Sequence, residues 1–257
     1  MTPLSASNAR VKEARKLSRR SVRTERRLFL ADGPKAVEGA LEVPARVVEV
    51  FATPSAREQY VDLLADVDVT LVDDRALASL SDAVTPAGVV AVCRQLDVPL
   101  AEVLGGDLVA ICADVRDPGN AGTVVRCADA AGADGVVFAG DAVDPSNPKT
   151  VRASVGSLFH VPFAIERDPA AAVRAAQEAG FVVLAADGGG EVDLFEADAL
   201  LARRTAWLFG NEAWGLPDEL AALADHRVRI PIHGRAESLN LATAAAVCLY
   251  ASARTRR

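Results

Sequence analysis

The sequence predicts an α/β fold with a mainly parallel sheet, and three observations predict it. Short, continuous apolar runs bounded by turn residues recur at Asp107–Ala113, Gly135–Ala139, Phe181–Ala186 and Ala206–Phe209. Such runs are the pattern of strands buried on both faces. They alternate with helical patterns, as crossover helices require. Apolar residues make up 51% of the chain but aromatics only 5%, with Ala, Val and Leu dominant, which suits helices packed on such a sheet. At 257 residues the chain is one large domain or two of ordinary size.

Taken in order, residues 5–26 form a basic helical pattern whose sparse apolar side is Val11, Ala14, Leu17 and Val22. Arg27–Ala31 reads as a strand, and Pro34–Leu41 as a helix with Pro in its first turn. Arg46–Ala52 is apolar and β-branched, Ser55–Ala65 amphipathic, Val69–Val72 a strand, Asp74–Leu80 a short helix and Gly88–Cys93 a last strand. Together these make a smaller α/β domain over residues 1–96. Residues 97–106, with Pro99 and the Gly105-Gly106 pair, read as a linker.

The second domain, 107–257, opens with strand Asp107–Ala113, a polar turn through Asn120, and helix Ala121–Ala131 closed by Gly132. Strand Gly135–Ala139, the loop Asp141–Pro148 and a short helix through Ser154 follow. Next come strand Val161–Ile165, helix Pro169–Ala179 and strand Phe181–Ala186; Gly188-Gly189-Gly190 reads as a flexible turn. Strand Ala206–Phe209, helix Asp218–Ala224, strand Arg227–Pro231 and a final Ala-rich helix from Ser238 complete it. Two strands ending in polar residues and a helix N-terminus, with its free N–H groups, converge as a ligand site does.

Charge is unevenly spread. Residues 1–35 hold ten basic and three acidic side chains, a net +7, leaving −14 for the remainder of a chain whose total is −7. The basic end is either a solvated helix face or a surface for a polyanion. The four cysteines lack a C-x-x-C pair and read as small buried hydrophobes in a reducing compartment. The three histidines share no ligand spacing, so no metal site is expected. Neither a signal-length apolar core nor a run of membrane-spanning length is present, which points to the cytoplasm.

NAD binding is unsupported, because the turn Asp117-Pro118-Gly119-Asn120-Ala121-Gly122 is not G-x-G-x-x-G. That turn offers Asn120, either a helix N-cap or a functional amide, and Arg126, which either snorkels to solvent or has a partner. Asn147, Lys149, Arg152 and Ser154 add phosphate-capable donors.

Three motifs occur in order: Asn120-x-Gly122-x-x-x-Arg126; Phe209-Gly210-Asn211-Glu212-x-x-Gly215-Leu216; and Ile230-Pro231-Ile232 leading to Glu237-Ser238-Leu239-Asn240. In this combination the chain resembles the SpoU-type branch of the SPOUT RNA methyltransferases, over residues 107–257. Ala213-Trp214 is bulkier than the small residues often found there in the family. The resemblance implies a deep trefoil knot at the C-terminus and a homodimer with the site near its interface. It further implies a small N-terminal RNA-binding domain and S-adenosylmethionine-dependent methylation of a ribose 2′-hydroxyl.

Carried onto this sequence, it assigns catalysis to Arg126, Asn120, Glu212, Ser238 and Asn240. Gly210, Asn211, Ile230, Ile232, Leu239 and Leu241 would hold the cofactor, although Ile230 and Leu239 read alone are ordinary core. RNA contacts fall to Arg10, Arg15, Arg19, Arg20, Arg23, Lys149 and Arg152. A separate N-terminal domain favours ribosomal RNA over tRNA as the partner. A non-catalytic RNA-binding protein of the ribosome remains the alternative; calorimetry with S-adenosylmethionine discriminates the two.

Overall fold

The computed structural model describes residues 2–256 and divides into two compact units. The first takes residues up to Leu96 together with Asp144–His160; the second takes Asp97–Val143 and the residues from Val161 on.

The first unit opens with α1 (Ala9–Arg15), a 3-10 turn at Lys16–Ser18, and α2 (Arg20–Arg26). The expected single basic helix is therefore broken, at Arg19, whose backbone is extended (φ −92°, ψ 128°). The Leu17 and Ser18 carbonyls that an unbroken helix would bond are each taken by Arg23 Nη1, at 2.9 Å. Val11, Ala14 and Leu17 do form the buried stripe, and they pack with Leu30, Phe51, Val72 and Val90.

Then follow β1 (Leu28–Asp32), α3 (Pro34–Glu42), β2 (Val47–Ala52), α4 (Pro54–Gln59), β3 (Val69–Leu71), α5 (Asp74–Ala78) and β4 (Val89–Arg94). Helix α4 is shorter than its amphipathic pattern; beyond Gln59 the chain continues as turns. The sheet order is β1-β4-β2-β3, with β4 antiparallel to both neighbours and β2 parallel to β3. This small sheet is thus mixed.

In the second unit the expected linker is structured. Helix α6 (Leu100–Val103) occupies it, Val98 N–H donates to the Phe163 carbonyl at 2.9 Å, and Val103 is fully buried. Next come β5 (Leu108–Ala113), α7 (Pro118–Ala131) and β6 (Gly135–Ala139). The chain then returns to the first unit for α8 (Pro148–Ser154), which packs on β1 and α3. Residues 144–160 pack within the first compact unit.

The remaining elements are β7 (Phe163–Glu166), α9 (Pro169–Glu178), β8 (Val182–Ala186), β9 (Val192–Asp193), α10 (Asp198–Leu201), β10 (Thr205–Phe209), α11 (Asp218–Ala221), β11 (His226–Arg229) and α12 (Leu241–Arg254). All seven strands run parallel, in the order β7-β6-β5-β10-β8-β11-β9. Strand β10 is inserted between β5 and β8, pairing Leu208 with both Ile111 and Ala185.

Alternate residues of the central strands serve opposite faces. Ile111, Val137, Val183 and Leu208 pack with Ala172, Val173 and Ala176 of α9. On the other face Trp207, fully buried, donates from Nε1 to Ser252 Oγ of α12 at 2.9 Å.

The stretch after β8, expected as a loose glycine turn, is ordered by close packing. A side chain at Gly190 would lie 2.6 Å from the Arg227 carbonyl oxygen, so only glycine lets this loop lie against β11. Among the described residues no helix is long and apolar enough to cross a membrane.

Candidate active site

The carboxyl ends of β8, β10 and β11 and the first turn of α12 surround a pocket of about 330 Å³, which all six residues expected to hold the cofactor line. It lies where parallel strands end beside an inserted strand, the usual place for a ligand in such sheets.

One wall is the loop after β10. Asn211 N–H donates to the Gly215 carbonyl and Gly215 N–H to the Asn211 carbonyl, both at 2.9 Å, closing the loop on itself. Gly215 takes the left-handed conformation (φ +72°) that this closure needs. A side chain at Gly210 would lie 2.3 Å from the Gly215 carbonyl carbon, so glycine is required by the chain's own closure, not only by an approaching ligand. Asn211 is buried and fully engaged: Nδ2 donates to the Asp114 carbonyl at 2.7 Å, and Oδ1 accepts from Ala213 N–H at 2.8 Å. It fastens the end of β10 to the end of β5.

Glu212 makes the next connection. Its carboxylate accepts from the backbone N–H of Arg116 at 3.1 Å and of Asp117 at 3.0 Å, and from Asn120 Nδ2 at 3.3 Å. A carboxylate so occupied clamps the β5–α7 turn. The N-cap of α7 is Asp117, whose Oδ1 accepts from Asn120 N–H at 2.8 Å; Asn120 lies inside the helix. Freed from capping, the Asn120 amide reaches outward, and its Oδ1 accepts from Asn240 Nδ2 at 3.1 Å.

Asn240, not Ser238, starts the last helix: its Oδ1 accepts from Ala242 N–H at 2.9 Å and Thr243 N–H at 3.3 Å. Ser238 precedes the helix, lines the pocket, and makes no hydrogen bond among the described residues. Ile230, Ile232, Leu239 and Leu241 line the apolar side, with Ile232 and Leu239 39% and 37% exposed. The reading of Ile230 and Leu239 as ordinary core therefore does not hold, because apolar surface left open in a pocket is available to a ligand.

The sequence reading missed Asp187 and Gly188, which form the pocket wall after β8. The signal was available: Asp187 ends an apolar run just as Gly210 does. Burial alone raises the Asp187 carboxyl, yet the Gly189 N–H and the Arg227 guanidinium outweigh it and hold the group below its ordinary value. Arg227 Nε donates to Asp187 Oδ2 at 2.9 Å, tying the β8 loop to β11. Cys112, fully buried under Glu212's loop, is pushed up to about 12, first by burial and then by that carboxylate, so it is a packing residue.

Arg126 is not brought to this pocket. It is exposed on α7, makes no hydrogen bond or ion pair among the described residues, and does not line the cavity. Six residues beyond Asn120, it stands about 9 Å further along the helix axis.

The surface cations are also unequal. Arg15, Arg19 and Arg20 are exposed, as is Lys149. Arg10 is exposed but paired with Glu49. Arg23 contradicts its expected role: it is 2% exposed, with Nη2 at 2.6 Å from Asp144 Oδ2, and so fastens the first unit internally. Arg152 is likewise committed, to Asp32 at 2.9 Å and to Asp82.

The sequence profile of the SpoU rRNA Methylase family matches residues 107–250. The chain belongs to this family. The profile of the MRM3-like substrate binding domain matches residues 8–91. Across the SpoU rRNA methylases, the chain is 34% identical over 251 residues to the 23S rRNA (guanosine(2553)-2′-O)-methyltransferase RlmP of Bacillus subtilis, covering 96% of each. It resembles the AdoMet-bound rRNA methyltransferase of Sinorhizobium meliloti with a TM-score of 0.84 and 35% identity, over 98% of this chain and 96% of that one. The AdoMet complex of the SpoU methyltransferase AviRb from Streptomyces viridochromogenes gives 0.85 and 32%, over 97% and 98%.

Proposed function

We propose that this protein transfers the methyl group of S-adenosylmethionine to a ribose 2′-hydroxyl of large-subunit ribosomal RNA. The observation that carries the reading is the pocket itself, where three strand ends and a helix start bring most residues of the second and third motifs around one cavity.

The donor set fits the cofactor. Apolar Ile230, Ile232, Leu239 and Leu241 suit an adenine ring, and backbone groups of the Gly210 and Leu239 loops suit its edge and the amino-acid tail. The cofactor supplies an electrophilic methyl already activated by its sulfonium, so the protein's task is to place and activate the ribose oxygen. Alignment contributes about 7–11 kcal/mol where the geometry is near-attack. The Arg126 guanidinium stabilises developing alkoxide by its charge and holds a neighbouring phosphate, while a phosphate oxygen or water takes the proton. Glu212, Asn120 and Asn240 are positioning residues that hold the α7 turn against the pocket loops, and Ser238 offers the hydroxyl left uncommitted.

The exposed position of Arg126 supports a homodimer in which the α7 surface completes the site. A trefoil knot is supported by the path from β11 through the pocket loop to α12, which packs on α7 and β10. Within the first unit, Arg15, Arg19, Arg20 and Lys149 provide phosphate contacts, while Arg23 and Arg152 serve the fold. The enzyme acts in the cytoplasm, with its substrate.

The test is transfer of tritiated methyl to 23S rRNA by wild type and Arg126→Ala. Loss of about 10²-fold or more is the scale for one preorganised charge. Equal incorporation removes Arg126 from the mechanism, and no binding of S-adenosylmethionine by calorimetry leaves only an RNA-binding protein.

A further inference from the structure

Trp214 is fixed in the open beside the pocket, and nothing in the pocket uses it. The chain has two tryptophans. Trp207 is fully buried, whereas Trp214 is 55% exposed at the tip of the loop closed by Asn211 and Gly215. Its chain neighbours, Ala213 and Gly215, both line the pocket. An indole placed in solvent carries an apolar cost that packing within the chain would remove.

One face of the ring is covered. The Arg116 guanidinium carbon lies 5.3 Å from the ring centroid, a cation–π stack. Arg116 is itself steered by Asp141 Oδ2, 2.9 Å from Nη2. Its backbone N–H is held by Glu212, two residues before Trp214, so one carboxylate ties together the backbones that carry both members of the stack. The result is a rigid aromatic plate with a cation behind it and an open front, on the rim of the cavity.

We infer that Trp214, backed by Arg116, stacks a nucleobase of the RNA next to the nucleotide being methylated, and so helps decide which RNA is accepted. A nucleobase suits the plate because every base presents a π-face of matching size, and the guanidinium at its rear favours a polyanionic strand over an apolar partner. The inference rests on the methyltransferase reading above.

Because Trp207 is buried, emission changes on adding RNA report on Trp214. The experiment uses full-length protein with S-adenosylmethionine, a short unstructured RNA of mixed sequence, and an abasic chain of equal length. Tryptophan emission should be quenched, and shielded from iodide, by the base-bearing RNA and not by the abasic one. Trp214→Ala should bind that RNA about tenfold more weakly, with Trp214→Phe recovering most of the loss. Unchanged S-adenosylmethionine binding in both variants shows that the loop is still folded. Equal quenching by the abasic chain, or wild-type RNA binding by Trp214→Ala, overturns the inference. So does concentration-dependent shielding from iodide without RNA, which would mean that a second copy covers the ring. Each of these three results leaves wild-type methyl transfer to 23S rRNA intact, whereas failure of the methyltransferase reading abolishes it.

Discussion

Asn240 Nδ2 donates to Asn120 Oδ1 at 3.1 Å, joining the start of the last helix to the first turn of α7 across 120 residues of chain. The oxygen of the same Asn240 side chain caps α12, and the nitrogen of the same Asn120 side chain reaches Glu212. One line of hydrogen bonds therefore runs from α12 to the loop after β10.

Replacing Asn240 separates cap from link. Asn240→Asp keeps an acceptor for the Ala242 and Thr243 N–H groups, with charge favourable at a helix start. It opposes an oxygen to Asn120 Oδ1, however, and methyl transfer should fall about tenfold with little change in Tm. Asn240→Ala loses the cap as well, about 1 kcal/mol of stability. Wild-type turnover by the Asp variant would show that the link is incidental.

Glu212→Gln leaves one oxygen where two backbone N–H groups and an amide now converge. The expected local cost is about 1.5–3 kcal/mol, the range for a charge-assisted acceptor. Hydrogen exchange at the Arg116 and Asp117 amides should accelerate, and cofactor affinity should drop. Unchanged exchange at both amides contradicts the clamp.

Arg23 and Arg19 should behave oppositely although both lie in the basic N-terminal segment. Arg23→Ala strands half-buried Asp144 and two carbonyls, a loss of about 3 kcal/mol read as a lower Tm. Arg19→Ala should change stability by less than about 0.5 kcal/mol. It should instead lower the slope of log RNA affinity against log salt by about one. The reverse pattern would reassign Arg23 to the surface.

Asp187 gives the pocket a defined acid limit. Its carboxyl is depressed in the folded state, so its contribution is complete above the ordinary aspartate value of about 3.9 and is lost as pH falls through the lower, folded value. Cofactor binding should therefore hold steady from neutral pH to about 4 on account of this group, then decline. Asp187→Asn should weaken binding at neutral pH and remove that acid limb; a decline unchanged in the variant assigns it to another carboxylate.

The fold was legible wherever local pattern decided it. The apolar runs of β5, β6, β8 and β10 could bury both faces only in a parallel sheet. The strand order could not be read, because nothing in the residues of β10 records that β5, 97 positions earlier, is its neighbour. Charged residues were the least legible. Arg23 and Arg19 look alike in sequence, and only the approach of Asp144, 121 residues away, distinguishes a fastening from a surface charge. The start of α7 was placed three residues late, at Ala121 instead of Pro118, because Asp117 is the cap, and that leaves the Asn120 amide available to the site. Arg126 was named from a motif, and a motif records residue types and spacing without saying which of them line one pocket.

The insertion of β10 between β5 and β8 dictates a timetable. A nascent chain that has emerged only as far as Arg204 has its two flanking strands but not the one that separates them, so the middle of the sheet must wait for synthesis to pass Phe209. Such late, distant pairing makes for slow maturation and leaves apolar edges open in the interval. Chains cut short before β10 should consequently aggregate rather than persist as smaller working proteins.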